Sequence, residues 1–271
     1  MTLRVLIALL IMTGYVSANC GQAFHLLDTE IKALVAKASD GDANAAYRMW
    51  NFHSMSSQNE QEADKWLRTA ARLGHPEAQR WLAYEIKDCD KPPGTFGKTP
   101  RAAVESLLRS ASRTSGTAAD DLGEAYRDGY LKPRDRLAKA RQAFFLAAEH
   151  HNASSWESLA EMLFNGEGGS ADPLQAYYFI VLSTQCVHPD SITGKELWEL
   201  RMRIEKKLNI EQMAAVWDKA DAYLKIERKY DAGRIYPPAL LGTGIPKKEW
   251  EKRLKETDKK ESAHRRSLQT Q

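Results

Sequence analysis

An internal repeat constrains this chain more than any other feature of its sequence. A segment of apolar and small residues in helical phase recurs four times, and each copy contains one alanine that anchors the alignment. The anchoring alanines are Ala63, Ala103, Ala140 and Ala176. The steps between them are 40, 37 and 36 residues, and periods of that length are typical of architectures that stack one helical unit on the next. The sequence therefore predicts an array of helix pairs.

A second type of helix keeps the same steps and predicts the other half of each pair. Its pattern is a large residue, then a small one, then a large one three positions further on. The three copies are Leu82-Ala83 with Ile86, Leu122-Gly123 with Tyr126, and Leu159-Ala160 with Leu163. Because a small residue lets two helices approach closely while its neighbours fill the space around it, we expect these positions to lie where helices pack.

Helix caps recur in the same register. Asn59, Thr99 and Asp172 each stand four residues before an anchoring alanine, where a side-chain oxygen can cap a helix. Pro100 and Pro173 follow two of these caps at the first helical position, where the missing N–H is harmless. Beyond the repeats, the pattern predicts two more helices, one that carries Leu197, Leu200, Ile204 and Leu208 on one face and one over residues 210–230.

Two stretches, residues 119–129 and 163–172, resemble the first half and the Gly-x-Gly loop of a Sel-one-like repeat (SLR), a relative of the tetratricopeptide repeat. The helix ending at residues 70–74 matches the Ala-Ala-x-x-Gly close of that repeat, whereas the related ending at residues 147–151 has His151 in place of glycine. The resemblance covers about residues 43–187. It implies an all-α fold, a right-handed α-solenoid of about four SLR/TPR-like helix pairs with a C-terminal helical cap.

The repeat boundaries and the composition divide the chain into five segments. They are a signal peptide (1–18), an N-terminal extension with a leading helix (19–42), the repeat array (43–190), capping helices (191–232) and a tail that contains Pro and Gly and then becomes basic and flexible (233–271). Within the array, repeat 2 carries an insertion at 88–97, and repeat 1 is degenerate near 50–58.

The first segment has the layout of a secretory signal peptide. Arg4 precedes the apolar run 5–12, and the small residues at 16–18 are typical of the residues before a signal-peptidase cleavage site. The run is shorter than the roughly 20 residues that span a bilayer. We therefore expect a periplasmic or secreted protein with no membrane span. A lipid anchor on Cys20 is the alternative, although Asn19 fits the lipoprotein pattern poorly.

Charge and motifs argue against several classes of function. Residues 247–271 carry nine Lys and Arg against five Asp and Glu, so the formal net charge of +3 comes from the tail and the body is close to neutral. Nucleic-acid binding thereby loses its main electrostatic support. The sequence has no nucleophile elbow, P-loop, dinucleotide fingerprint or zinc-protease motif. We predict no catalytic residue, no cofactor and no metal site.

Three groups of reactive side chains have structural interpretations instead. The acidic residues Asp120, Asp121 and Glu124 lack a third group or a cleft, so they are interpreted as a solvated helix face. The pair at 150–151 is expected in a turn between repeats. Of the three cysteines, at least one stays unpaired, and a bridge between Cys89 and Cys186 remains open.

The resemblance also implies which side chains face inward along the array. In related repeats these are the positions two before, two after and five after the conserved leucine. The candidate partner-binding residues are thus Arg80, Tyr84 and Lys87 in repeat 2, Asp120, Glu124 and Arg127 in repeat 3, and Glu157, Glu161 and Phe164 in repeat 4. The groove would run from basic to acidic. The alternative is that these positions are merely solvated.

Trp81 joins the candidates because its equivalents, Asp121 and Ser158, are polar. An aromatic residue at a position where sister repeats are polar indicates a contact surface. Burial against the insertion at 88–97 is the other interpretation.

The function expected from these features is that of an exported module that binds another protein. Short SLR proteins with a signal peptide resemble periplasmic immunity proteins, which neutralise a type VI secretion effector such as a phospholipase. The resemblance therefore implies a secreted toxin or effector with a basic patch as the partner. Two alternatives remain, an envelope scaffold for secretion or polysaccharide assembly and, less favoured, a cell-wall-related hydrolase.

Overall fold

A computed structural model describes residues 26–186 and 191–230 of the chain, the last six of them by their backbone alone. All regular structure in this part is helical. The first six helices are α1 (Asp28–Ser39), α2 (Ala43–Asn51), α3 (Glu60–Arg72), α4 (Pro76–Asp88), α5 (Pro100–Ala111) and α6 (Gly116–Arg127). Five more follow, α7 (Arg136–Glu149), α8 (Ser154–Asn165), α9 (Pro173–Thr184), α10 (Ile192–Glu205) and α11 (Ile210–Tyr230). The expected signal peptide, Cys20 and the basic tail lie outside the described residues.

The chain divides into two compact units, residues 1–122 and 123–271. In the first unit, each helix from α1 to α4 packs on the next one in the sequence. In the second unit, α7, α8 and α9 pack in the same sequential way, and both α10 and α11 pack on α9. The contacts are therefore mostly between neighbours in the chain, as a repeat array requires.

Burial confirms the predicted register of both helix types. The four anchoring alanines are at most 9% exposed. The conserved leucines of the second type, Leu82, Leu122 and Leu159, are at most 5% exposed. Ala83 and Ala160, the small residues that follow two of them, are equally buried. The predicted helix over 210–230 is also present, with these same bounds.

The predicted caps are present with hydrogen-bond geometry. The side-chain oxygen of Asn59 accepts from the Glu62 N–H at 3.2 Å, and that of Thr99 accepts from the Ala102 N–H at 3.2 Å. Asp172 accepts from the Gln175 N–H at 2.9 Å. Each cap satisfies a backbone donor that the first turn of a helix leaves without a partner.

Gly123 marks a close approach of two helices, α6 and α7. A Cβ atom placed on Gly123 of α6 would lie 2.6 Å from the Phe144 ring of α7. Phe144 is fully buried, so its ring has little room to move. The glycine is therefore required by packing.

The turn at His151 confirms the interpretation of the 150–151 pair. His151 has a φ of +59°, the left-handed conformation that its counterpart Gly74 adopts with a φ of +91°. A histidine tolerates this conformation at some cost in strain. The chain therefore keeps the turn of the repeat although the glycine is missing.

The two irregular parts of the array have defined structures. The insertion of repeat 2 folds back on α3, where Lys91 Nζ lies 3.2 Å from Asp64 Oδ1 and Arg68 Nη2 donates to the Pro92 carbonyl at 3.1 Å. The degenerate part of repeat 1 is a π-helical turn over Phe52–Ser56, which is followed by Gln58 with a φ of +50°.

A buried polar network joins the last three helices. Tyr177 OH donates to Glu205 Oε1 at 2.9 Å, Arg201 Nε donates to the same oxygen at 2.8 Å, and Trp217 Nε1 donates to Tyr177 OH at 3.1 Å. Burial opposes the charge of Arg201, but its contacts with Tyr177 and Glu205 outweigh that effect and raise its pKa. Because each buried polar group has a partner, the network fixes how α10 and α11 sit on α9.

The close approach at Gly123 gives a stability prediction. Gly123→Leu should lower the free energy of unfolding by about 1–3 kcal/mol, because the new side chain overpacks the contact with Phe144. Chemical denaturation of the full chain, followed by helical circular dichroism, measures this loss. Adding Phe144→Leu should make the loss smaller than the sum of the two single effects, since the residues share one space. A fully stable Gly123→Leu would show that the register is wrong.

Candidate functional site

An aromatic surface lies in the first unit, on α2, on α4 and on the residue that precedes α4. It consists of Tyr47, Trp50, His75, Trp81 and Tyr84. The rings follow one another, with Tyr47 stacked on His75 at 4.0 Å, Tyr47 and Trp50 at 5.1 Å, Trp50 and Trp81 at 5.9 Å, and Trp81 and Tyr84 at 6.0 Å between centroids. Trp50 is buried, the next rings are half-buried, and Tyr84 is 51% exposed. The packed inner rings hold the outer ones in a fixed position.

His75 ties this surface to the start of α4. Its Nδ1 accepts a hydrogen bond from the Ala78 N–H at 3.3 Å and so caps the helix. Burial lowers the pKa of His75, while Glu77 acts in the opposite direction. The lowered pKa favours the neutral ring, which alone can accept that bond.

The ring contacts of Trp81 differ from those expected if it were buried against the insertion at 88–97. The rings that pack against it are Trp50 of repeat 1 and Tyr84 of its own helix, whereas the insertion at 88–97 packs on α3. Trp81 is therefore a half-buried part of an aromatic surface.

The basic character expected for repeat 2 is largely compensated within the first unit. Arg80 Nε lies 3.0 Å from a Glu77 oxygen, and Arg80 Nη1 lies 3.3 Å from an Asp121 oxygen. Burial raises the pKa of Asp121, and Arg80 and Lys87 act against that rise. The guanidinium of Arg80 also lies 5.2 Å from the Trp81 ring, a cation–π distance. The surface around Trp81 is thus aromatic and close to neutral, which corrects the expected basic groove.

The interpretation of Asp120 as part of a solvated acidic face is wrong. Asp120 is buried, with only 8% of its surface exposed. Ala118, Ala119 and Leu122 are buried as well, so the first turns of α6 are covered on more than one side. Of the predicted acidic cluster, Glu124 alone is exposed, and Asp121 is paired with Arg80.

The second unit brings Arg127 together with the acidic candidates. We define the ion-pair surface by six residues, Arg127, Glu157, Glu161, Phe164, Glu167 and Arg203. The Arg127 guanidinium pairs with the Glu161 carboxylate, and its Nε lies 3.9 Å from a Glu167 oxygen. The Arg203 guanidinium lies 5.3 Å from the Phe164 ring. Three carboxylates against the two cations Arg127 and Arg203 leave this surface with one net negative charge, less than the sequence suggested.

Glu157 is the carboxylate of this surface with the least favourable surroundings. Burial raises its pKa, the neighbouring carboxylates of Glu161 and Glu196 raise it further, and Arg127 acts against the rise. Its charged form is therefore disfavoured by the fold.

Sequence reasoning missed several members of these surfaces. Tyr47, Trp50 and His75 come from repeat 1 and its link to repeat 2, where the repeat pattern is degenerate and gives no register. Glu167 lies in the Gly-x-Gly loop and Arg203 on α10, outside the helix positions that the resemblance assigns. The crowding of Trp and Tyr near residues 47–84 was the one signal that could have indicated the aromatic surface.

In residues 26–186 and 191–230, no helix is both long and apolar enough to cross a bilayer. No cluster of three or more His, Cys, Asp or Glu side chains there is arranged to hold a metal ion. Cys89 is exposed and Cys186 half-buried, and neither forms a disulfide within the described residues, so the structure shows no bridge between the two. Burial raises the pKa of Cys186 to about 11.

Comparison with known proteins supports the fold. No protein-family model matches the sequence, and no curated protein matches it. Among solved structures, the chain is similar to a protective antigen present in uropathogenic Escherichia coli strains that displays an SLR fold. The TM-score is 0.54 and the identity 20%, over 72% of this chain and 40% of the antigen, so the chain spans less than half of that protein. A Sel1 repeat protein from Oxalobacter formigenes matches with a TM-score of 0.44, 18% identity and coverage of 63% and 75%.

The architecture is therefore the all-α helical repeat that the sequence predicts, and the antigen to which it is similar has the SLR fold. At 20% identity the likeness concerns the fold alone. What the chain binds must be argued from its own surfaces.

The ion-pair surface gives a prediction in which two adjacent glutamates respond oppositely. At pH 7, Glu161→Gln should lower the free energy of unfolding by about 0.5–1 kcal/mol, because it breaks the pair with Arg127. Glu157→Gln should raise it by up to about 0.5 kcal/mol after solvent screening, because it removes a charge that the fold disfavours. Chemical denaturation of the two variants measures both changes.

The pH dependence provides the control for this comparison. A raised pKa means that folded Glu157 takes up its proton at a higher pH than the unfolded chain does. The gain from Glu157→Gln should therefore shrink as the pH falls through that raised pKa. Equal losses from both substitutions at pH 7 would contradict the assignment.

Proposed function

We propose that this protein is an exported interaction module that binds another protein through the aromatic surface. The observation that carries the proposal is the series of packed rings from Tyr47 to Tyr84, which ends in a half-exposed tyrosine. Tyr and Trp are enriched in the central, energetically dominant parts of protein interfaces. A helical repeat presents such a surface on a rigid scaffold.

The preorganisation of this surface supports binding. Tyr84 rests on Trp81, and Trp81 rests on the buried Trp50. Because the rings are already packed, Tyr84 and Trp81 lose little side-chain entropy when a partner covers them. Arg80 is held by Glu77 and Asp121, so it contributes shape and cation–π packing more than free charge.

The negative surplus of the ion-pair surface supports a partner with a basic patch. Arg127 and Arg203 offset two of the three negative charges of Glu157, Glu161 and Glu167. A surface of this kind raises the association rate of a positively charged partner more than it raises the affinity. Together with the order of charged, apolar and small residues at 1–18, it favours a periplasmic immunity role against a secreted effector.

The direct test is capture of a partner from the periplasmic fraction of the native host, where the mature chain should lack residues 1–18. Tyr84→Ala should weaken binding of the captured protein by about tenfold or more, because loss of an aromatic anchor typically costs over 1 kcal/mol. Titration calorimetry or surface plasmon resonance measures the dissociation constant.

Leu27→Ala is the matched control, since Leu27 is an exposed apolar side chain of the same unit, 70% exposed, and lies outside the aromatic surface. It should leave binding unchanged. Undiminished binding by a folded Tyr84→Ala variant would remove the aromatic surface from the interface. A partner that is not a secreted toxin or effector would argue against the immunity role while leaving the interaction module intact.

A further inference from the structure

A cavity in the second unit is independent of both surfaces. Its volume is about 510 Å³, within the range of ligand pockets. Its wall comes from α7, from the loop between α8 and α9, from the start of α9 and from the turn between α10 and α11. It shares no residue with the aromatic surface or the ion-pair surface.

Two cations without an acidic partner line this cavity. Arg141 Nη1 donates to the Ser170 carbonyl at 3.0 Å, and this is its one hydrogen bond within the described part of the chain. Lys207 is exposed and forms no ion pair with any described residue. By contrast, Arg80, Arg127 and Arg201 all pair with carboxylates.

Asp172 is the one carboxylate among the residues that line the cavity, and it already has a role. Its Oδ1 caps α9 by accepting from the Gln175 N–H at 2.9 Å. The N-terminus of α9 is therefore occupied by its own cap. Arg141 and Lys207 carry two positive charges against the one negative charge of Asp172, so the cavity has a surplus of one positive charge. A ligand that completes this charge balance carries one negative charge.

One part of the wall is apolar, beside the polar side chains of Ser170 and Gln212. Pro173, Leu174 and Leu208 line the same cavity, and Leu174 is 41% exposed although its side chain is large and hydrophobic. The cavity thus offers apolar surface beside two cations. This combination suits a ligand that joins an apolar group to a carboxylate over a short distance.

The glycines of the loop place Arg141 in the wall. A Cβ atom on Gly168 would lie 2.3 Å from the Leu137 carbonyl oxygen, so the loop lies directly against α7. A Cβ atom on Gly169 would lie 2.8 Å from Arg141 Nη1. Both glycines are explained by this packing, which leaves room for the guanidinium and fixes it through Ser170. The cation is therefore positioned before any ligand arrives.

We propose that this cavity binds the free C-terminal carboxylate of a peptide whose last residue is apolar. The last residue of a chain carries its carboxylate and its side chain on the same Cα atom. A single residue could therefore place its carboxylate against the cations and its side chain against the leucines of the cavity. Arg141 and Lys207 bind the carboxylate by charge-assisted hydrogen bonds, and Leu174 and Leu208 contact the side chain. The inference does not rest on the proposed function, because it is testable with a peptide of defined sequence.

The experiment titrates the full chain with the acetylated peptide Gly-Ser-Gly-Ala-Leu, with its C-terminal amide, and with an amidated peptide that carries an internal glutamate. Binding is followed by the amide NMR signals of residues 168–171. The free acid should shift these signals and bind about tenfold more tightly than the amide, because the amide lacks the charge that two cations recognise. High salt should weaken the binding of the free acid.

Arg141→Gln and Lys207→Gln should each weaken the free acid about fivefold or more. Lys207 is exposed, so its variant remains informative even where Arg141→Gln disturbs the loop. Lys195→Gln, a change at an exposed lysine of α10 outside the cavity, should have no effect. Equal binding of acid and amide, unchanged binding by Lys207→Gln, or no binding of the free acid would overturn the proposal. Equal binding of the internal-glutamate peptide would overturn its assignment to a chain terminus.

Discussion

The close approach of neighbouring helices at the small residue after each conserved leucine determines the rest of the structure. Ala83, Gly123 and Ala160 occupy this position, and at Gly123 no room is left for even a methyl group against Phe144. Large residues on either side of the small one are buried in the same contact, so a shift of one position would expose them. The same register therefore decides which side chains each second-type helix leaves to solvent, among them Tyr84, Glu124 and Glu161.

The two surfaces differ in what they can contribute to binding. Exposed ion pairs such as Arg127 with Glu161 contribute only about 0–1 kcal/mol each, whereas an aromatic anchor can contribute over 1–2 kcal/mol when a partner covers it. Charge mainly sets association rate and orientation. We therefore assign affinity to the aromatic surface and steering to the ion-pair surface.

Local and periodic features could be predicted from the sequence, and long-range pairing could not. The caps at Asn59, Thr99 and Asp172 depend on residues three positions away, and the buried register depends on a repeated pattern. The pairing of Arg80 with Asp121 joins residues 41 positions apart, and that of Arg127 with Glu161 joins residues 34 apart. Single-sequence patterns carry no information on such pairs, so the free charge of the candidate groove was overestimated. The burial of Asp120 and the Tyr47–His75 stack were missed for the same reason.

The central claim is that one repeat register both packs the helices and presents the binding residues. Site-specific photo-crosslinking tests it most directly, with benzoylphenylalanine placed at the equivalent positions Tyr84, Glu124 and Glu161 and, for comparison, at the exposed positions Ser106 and Gln142 of the anchoring helices. We expect Tyr84, Glu124 and Glu161 to form adducts with one and the same partner protein. Ser106 and Gln142 should form none. Adducts confined to Ser106 and Gln142 would contradict the account.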